Sequence, residues 1–339
     1  MISNQFKEIE EMILSGQFSG TILVKRDNEV VYEEAAGFAD RMEKRANRKD
    51  TRYGIASGCK IFTAVAVAQL ADEGLLSFDT KLKDCLDLEF PKWDADITIQ
   101  QLLTHSSGIP DYFDEEVMDD FAQLWKETPM YLLQNPSDFL PMFRDKPMKS
   151  IPGERLHYNN AGYIILGLVV EQLARIPFTD YVNQNIFKRA GMSDSGYFSM
   201  DSLPENTAYG YEETEAGQFK TNIYSIPIKG GPDGGAYITA GDMVRFWEAL
   251  LDNRLLSKET TNILLTPHIM VKEGVHYGFG IWINSNNESN LKYHVMGYDP
   301  GVSFHSAYYP ETKVKTAVLS NFSSGAYSIM KAIEEHLYK

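Results

Sequence analysis

Three features of this sequence predict a mixed α+β (α/β) architecture. Strand-like apolar segments sit near both ends, two central helices are apolar almost all round, and a polar or small-residue turn introduces each of those helices. Strands at both termini with helices between them imply one antiparallel sheet built from the two ends, flanked by helices, with a helical lobe inserted. The division expected is a discontinuous sheet domain of residues 1–55 and 230–339, a mainly helical domain of residues 56–229, and an active site at their interface.

The 339 residues exceed the usual size of one domain, and 43% hydrophobic residues supply ample core. A formal net charge of -15 without any dense basic run makes nucleic acid and anionic membranes poor partners, and a solvated acidic surface accounts for it. Two cysteines, Cys59 and Cys85, make neither a disulfide framework nor a metal site, and the histidines show no ligand-spaced cluster. No cofactor is expected: Gly230–Gly235 lacks the strand-loop-helix spacing of a dinucleotide fingerprint. No apolar run reaches ~18 residues, so no membrane span is expected. A basic region followed by an apolar one is missing at the start, so the chain as given reads as cytoplasmic, or extracellular if a leader was removed. Oligomeric state stays open.

In chain order, Met1 to Gln17 reads as an amphipathic helix with Phe6, Ile9, Met12, Ile13 and Leu14 on one side. Gly20–Lys25 and Glu29–Glu33 flank Asp27-Asn28 as a hairpin. A polar loop through Arg41–Lys49 leads to the apolar helix that runs to Leu70, with Gly74 as its C-terminal cap. Ile97–Leu103 starts a short helix with Thr98 as cap, closed by Thr104-His-Ser-Ser-Gly108. Residues 111–150, rich in aromatics and proline, suit a pocket wall or irregular helices simply packed together. Leu156–Glu171 is a second polar turn feeding an apolar helix, with Tyr158 and Asn160 at its mouth. Phe178–Phe187 is a further helix, and residues 199–229 are turn-rich. A helix follows from Ala240 to Leu251. Tyr277–Ile283, Lys292–Met296, Gly301–Tyr308 and Lys315–Ser320 read as strands, and Ala326–Leu337 as a closing helix.

The chemistry concentrates at Ser57 and Lys60, one helical turn apart at the start of the first apolar helix. A serine hydroxyl attacks poorly until a base removes its proton, and a lysine serves when burial lowers its pKa. The free N–H groups of a helix start favour an oxyanion. The alternative is a Ser57 that only caps the helix and a Lys60 that reaches the surface. The spacing alone is cheap, since it recurs at Ser289/Lys292 and Ser328/Lys331.

Taken together, Gly54–Ala64, Ile97–Pro110, Tyr158-Asn-Asn160-Ala-Gly-Tyr163, Met192–Ser195, Gly235–Asp242, Asp299-Pro-Gly301 and Tyr309–Glu311 resemble the serine β-lactamase and penicillin-binding-protein superfamily. The likeness is to its class-C-like branch of esterases, carboxypeptidases and D-aminopeptidases, and it runs from about Phe18 to the last helix. The resemblance implies a β-lactamase/transpeptidase-like fold and a serine hydrolase that acts through an acyl-enzyme on a small ester, amide or β-lactam. It implies Ser57 as nucleophile, Lys60 as its proton partner, Tyr158 as a second proton shuttle and Asn160 as a substrate ligand. The oxyanion hole would be the N–H groups of Ser57 and Tyr298. A catalytically silent binding or sensor protein is the rival expectation.

The third motif departs from the family pattern of Lys or His, a small residue, then Gly. Gly297 keeps the spacing to Asp299-Pro-Gly301, which puts Val295 at the basic position. His294 comes one residue early and points to the opposite face of a regular strand, unless a bulge turns it back toward substrate. His276-Tyr-Gly278 matches the literal pattern on an earlier strand.

Overall fold

A computed structural model describes residues 6–118, 120–286 and 289–337. Residues 1–5 of the expected first helix lie outside them. Eight strands form one antiparallel sheet: β1 (Gly20–Arg26), β2 (Glu29–Ala36), β3 (Ile269–Lys272), β4 (Val275–Tyr277), β5 (Trp282–Ser285), β6 (Asn290–Asp299), β7 (Val302–Tyr309) and β8 (Val314–Ser320). Their spatial order is β2-β1-β8-β7-β6-β5-β4-β3, so both ends of the chain contribute to one sheet. The two contributions join where Gly20 stands opposite Ser320 and Arg26 opposite Val314. Asp27, at φ 49°, turns the β1–β2 hairpin.

The principal helices are α1 (Lys7–Leu14), α2 (Lys60–Asp72), α3 (Ile99–Leu103), α4 (Asn160–Ala174), α5 (Ala240–Leu251) and α6 (Ala326–Leu337). Period-two alternation splits the sheet's side chains between two cores. Ile22, Val24, Ala307 and Val318 meet Ile9 of α1 and Ile329 and Ile333 of α6 on one face. Leu23, Val295, Phe304 and Leu319 meet the helical layer of α2, α4 and α5 on the other. Every residue of α2 from Lys60 to Leu70 is buried, as its uniform apolar sequence requires.

Two expectations change. Leu14 is 86% exposed, because α1 fits only Phe6 and Ile9 fully into the α6 face. Tyr277–Ile283 is not one strand. Gly278 N–H donates to the Ile281 carbonyl (2.8 Å), and Gly280 sits at φ 69°, so the segment is a tight turn between β4 and β5. A Cβ at Gly280 would stand 2.9 Å from the Lys60 carbonyl, which explains why this turn can abut α2. No single described helix is long and apolar enough to cross a membrane.

Candidate active site

The chain enters the site through Tyr53-Gly54, passes Ala56 and continues as a short 3-10 turn, Ala56–Cys59, into α2. Ala56 is a buried non-glycine residue at φ 46°, a conformation that costs about 1–3 kcal/mol and persists only where its surroundings enforce it. Here Gly235 N–H donates to the Ala56 carbonyl (3.2 Å), and Ile55 N–H donates to the Ala236 carbonyl (3.0 Å). The next residue is Ser57, half-buried at the wall of two clefts of about 880 and 1830 Å³.

Lys60 is 1% exposed, so it does not reach the surface. Its Nζ donates to Ser57 Oγ (3.0 Å), Asn160 Oδ1 (2.8 Å) and the Asp233 carbonyl (2.6 Å), which occupies all three ammonium hydrogens. The mouths of α2 and α4 therefore face each other. Asn159 caps α4 by accepting from Gly162 N–H (2.7 Å), which aims the next side chain, Asn160, at Lys60. Tyr158 lies beyond the cap with its ring centroid 5.0 Å from Lys60 Nζ, and it lines the larger cleft with Ser57. Burial first, and then the charge of Glu115, hold the Tyr158 phenol well above its ordinary pKa, although a hydrogen bond with Ser57 pulls the other way. Tyr158 is thus a neutral O–H at rest.

Strand β6 closes the other side. A Cβ on Gly297 would stand 2.1 Å from the Ile55 carbonyl and 2.8 Å from Ser57 N, so only glycine lets this strand meet the nucleophile turn. The backbone of Tyr298 follows directly, while its ring, 44% exposed, hydrogen-bonds through Oη to His305 Nε2. Val295, 2% exposed, shares the Gly297 face and packs in the helical-layer core. His294 stands opposite Ala307 on the reverse face, which meets α1 and α6, and it lines neither cleft at Ser57. Register is unbroken from Tyr293 to Asp299, so no bulge returns it. Burial, then the charges of Lys292 and His305, keep its pKa well below the ordinary value. His294 is therefore removed from the substrate-facing group.

The structure adds roles that the sequence motifs do not assign, to Asp111, Asp233 and Glu115 and to Asp299 of the Asp299-Pro-Gly301 motif. Asp111 accepts from the N–H groups of Asn160 (2.7 Å), Ala161 (3.0 Å) and Tyr112 (2.7 Å), anchoring the α4 mouth. Asp233 accepts from the Tyr112 hydroxyl. Asp299, Asp233 and Glu115 line the smaller cleft, where Lys229 is the one cationic side chain among the described residues. Burial pushes the Asp299 carboxyl up to about 7; the charge of Lys60 pulls it down, and Asp233 and Glu115 push it further up. Asp111, Glu115 and Asp233 sit in loops and Asp299 ends β6, all far from Ser57 in sequence with nothing periodic to mark them. A separate grouping, Asp114, Glu116 and His157, brings three ligand-type atoms within 4.8 Å of one another. Lys149 (3.0 Å) and Arg155 (2.7 Å) already pair its carboxylates.

An eight-stranded antiparallel sheet with a buried Ser-x-x-Lys helix against it, and a Tyr-x-Asn turn facing that pair, defines a serine hydrolase of the β-lactamase fold. The chain belongs to the beta-lactamase family, whose family model matches residues 7–336. Penicillin-binding protein 4* of Bacillus subtilis (strain 168) is 29% identical, over 95% of this chain and 73% of its own length. The crystal structure of a penicillin-binding protein from Bacillus halodurans is 52% identical with a TM-score of 0.93, covering 96% of this chain and 99% of that one. An octameric penicillin-binding protein homologue from Pyrococcus abyssi is 27% identical with a TM-score of 0.85, over 98% and 76%.

Proposed function

We propose that the protein hydrolyses a small ester or amide through an acyl-enzyme on Ser57. The observation that carries this is the 3.0 Å contact between the buried Lys60 Nζ and Ser57 Oγ. In the neutral amine the lone pair replaces the N–H aimed at Ser57 and accepts the hydroxyl proton as Oγ attacks the carbonyl carbon. The resulting oxyanion is received by the N–H groups of Ser57 and Tyr298. Collapse breaks the bond to the alcohol or amine, which takes its proton from Tyr158, a neutral donor at rest. Water then attacks the Ser57 ester and gives one proton to the Tyr158 phenolate, and Ser57 Oγ leaves with the proton held by Lys60, which frees the acid and restores both groups. Asn160, fixed by Lys60 and Asp111, holds the substrate's own amide or ester.

Substrate preference follows from the third motif. Val295 leaves no cation where relatives of the superfamily anchor a carboxylate, and Asp299, Asp233 and Glu115 make the cleft acidic. Neutral short-chain esters are therefore the proposed substrates, ahead of peptides ending in a free carboxylate. The relatives are named for binding penicillin; a penicillin carries such a carboxylate and is expected to be a poor substrate here.

The test is intact mass after exposure to a fluorophosphonate, with the label mapped to the Ser57 peptide. Wild type gains one adduct and Ser57→Ala gains none. Equal labelling of that variant would sink the assignment. A penicillin adduct that forms and persists without turnover would favour the binding or sensor role over hydrolysis.

A further inference from the structure

His105 lies in the Thr104–Gly108 turn after α3 and is 1% exposed, so it touches no substrate. It nevertheless grips the chain on both sides of Tyr158. Its carbonyl accepts from His157 N–H (2.7 Å), and its Nδ1 accepts from Asn159 N–H (3.1 Å). Its ring lies against the Tyr158 ring at a centroid distance of 4.4 Å. The residue adopts φ 55°, an uncommon conformation for a side chain with a Cβ, which turns both the carbonyl and the imidazole toward the 157–159 segment.

The donors fix the tautomer. Asn159 N–H is a backbone donor, so Nδ1 carries the lone pair, and Nε2–H points to Tyr277 Oη at 3.2 Å. Tyr277 and Tyr163 complete the cage, with ring centroids 4.9 and 5.0 Å from the imidazole. Tyr163 is itself tied down, donating through its hydroxyl to the Leu103 carbonyl (2.9 Å). A protonated ring would set an N–H against the Asn159 N–H and would lose that clamp. Burial, and then the charge of Lys60, keep the imidazole neutral.

We propose that His105 is a positioning residue: as a neutral imidazole accepting at Nδ1, it clamps the backbone on either side of Tyr158 and sets the reach of the phenol toward Ser57 and Lys60. The inference rests on Tyr158 acting as the proton shuttle. A shift of even 1 Å in a reacting group costs on the order of 10²-fold in rate, so the clamp acts on kcat and leaves substrate affinity alone.

The experiment is a double-mutant cycle on hydrolysis of p-nitrophenyl butyrate, with melting curves for every variant. His105→Leu removes the acceptor, while His105→Asn keeps one near the Nδ1 position. In the wild-type background His105→Leu is expected to lower kcat by about tenfold or more, with KM changed less than about twofold, and His105→Asn to recover most of the loss. In the Tyr158→Phe background the same His105→Leu change is expected to cost less than about twofold, because the group it positions is gone. Equal losses in both backgrounds overturn the inference, as does a loss carried by KM or an Asn variant no better than Leu. Should His105→Leu not fold, Tyr277→Phe takes its place in the cycle; a non-additive kcat loss with Tyr158→Phe supports the clamp, and an additive one overturns it. A Tyr158→Phe enzyme as active as wild type refutes the shuttle role itself, an outcome separable from failure of the clamp.

Discussion

At the scale of single residues, the Ser57–Lys60 pair was legible through its almost uniformly apolar helix and not through its spacing, which recurs twice elsewhere; that Lys60 stays buried rather than reaching the surface was decided by the fold. The contact to Asn160 Oδ1 was half legible: both residues stood at helix mouths, but only the fold could set the mouths face to face. Val295 has the clearest consequence. It occupies the basic position of the third motif and is buried at 2% exposure. A charge-assisted hydrogen bond to a substrate carboxylate contributes about 1.5–3 kcal/mol, roughly ten- to hundredfold in kcat/KM. Wild type is expected to turn over neutral esters better than D-Ala-terminated peptides, and a panel of both substrate classes decides it. Wild-type preference for the carboxylates would refute the reading, and a loss of that preference in Lys229→Ala would assign the anchor to Lys229 instead.

At the scale of elements, the sequence carried signals wherever a cap or an alternation had a local cause. Thr98 accepts from Gln101 N–H while the Gln101 side chain accepts from Thr98 N–H, both halves of a capping box on α3. Thr98→Ala is expected to lower unfolding free energy by about 1 kcal/mol, read from the urea midpoint at constant slope; an unchanged midpoint would remove the cap from the argument. The β4–β5 turn was illegible because Gly278-Phe279-Gly280 carries the same apolar alternation as a strand, and only the backbone bond across it reveals the reversal. Strand β6 depends on one position. Gly297→Ala places a Cβ 2.1 Å from the Ile55 carbonyl, so strand and nucleophile turn must separate. A drop in kcat/KM on the order of 10²-fold is expected, together with a lower Tm. Activity within a few-fold of wild type would show that the strand can yield without disturbing Ser57.

At the scale of the whole molecule, buried ionisable groups pull stability in opposite directions with pH. Burial, and then the charge of Lys292, lower His305 from 6.5 to about 3. Between those values the unfolded chain binds the extra proton, so this group adds stability as pH rises. Asp299 is raised from 3.8 to about 7, so the folded chain holds the proton across that window and stability falls as pH rises. Asp299→Asn removes the second effect. Its gain in Tm over wild type is expected to be larger at pH 8 than at pH 5, and equal gains would contradict the assignment. The sheet itself was legible in outline, because alternating apolar segments sat at both ends of the sequence. Its order was not, since the β1–β8 pairing joins residues 300 positions apart, Gly20 with Ser320. That pairing has a consequence for synthesis. At about 5–20 residues per second, roughly 15 to 60 s separate the emergence of β1 from that of its neighbour. During that interval Ile22, Leu23 and Val24 have β2 beside them but an open edge on the other side. The nascent chain must spend this time with its central seam unsewn, and the nucleophile helix cannot be walled in until nearly the last strand has left the ribosome.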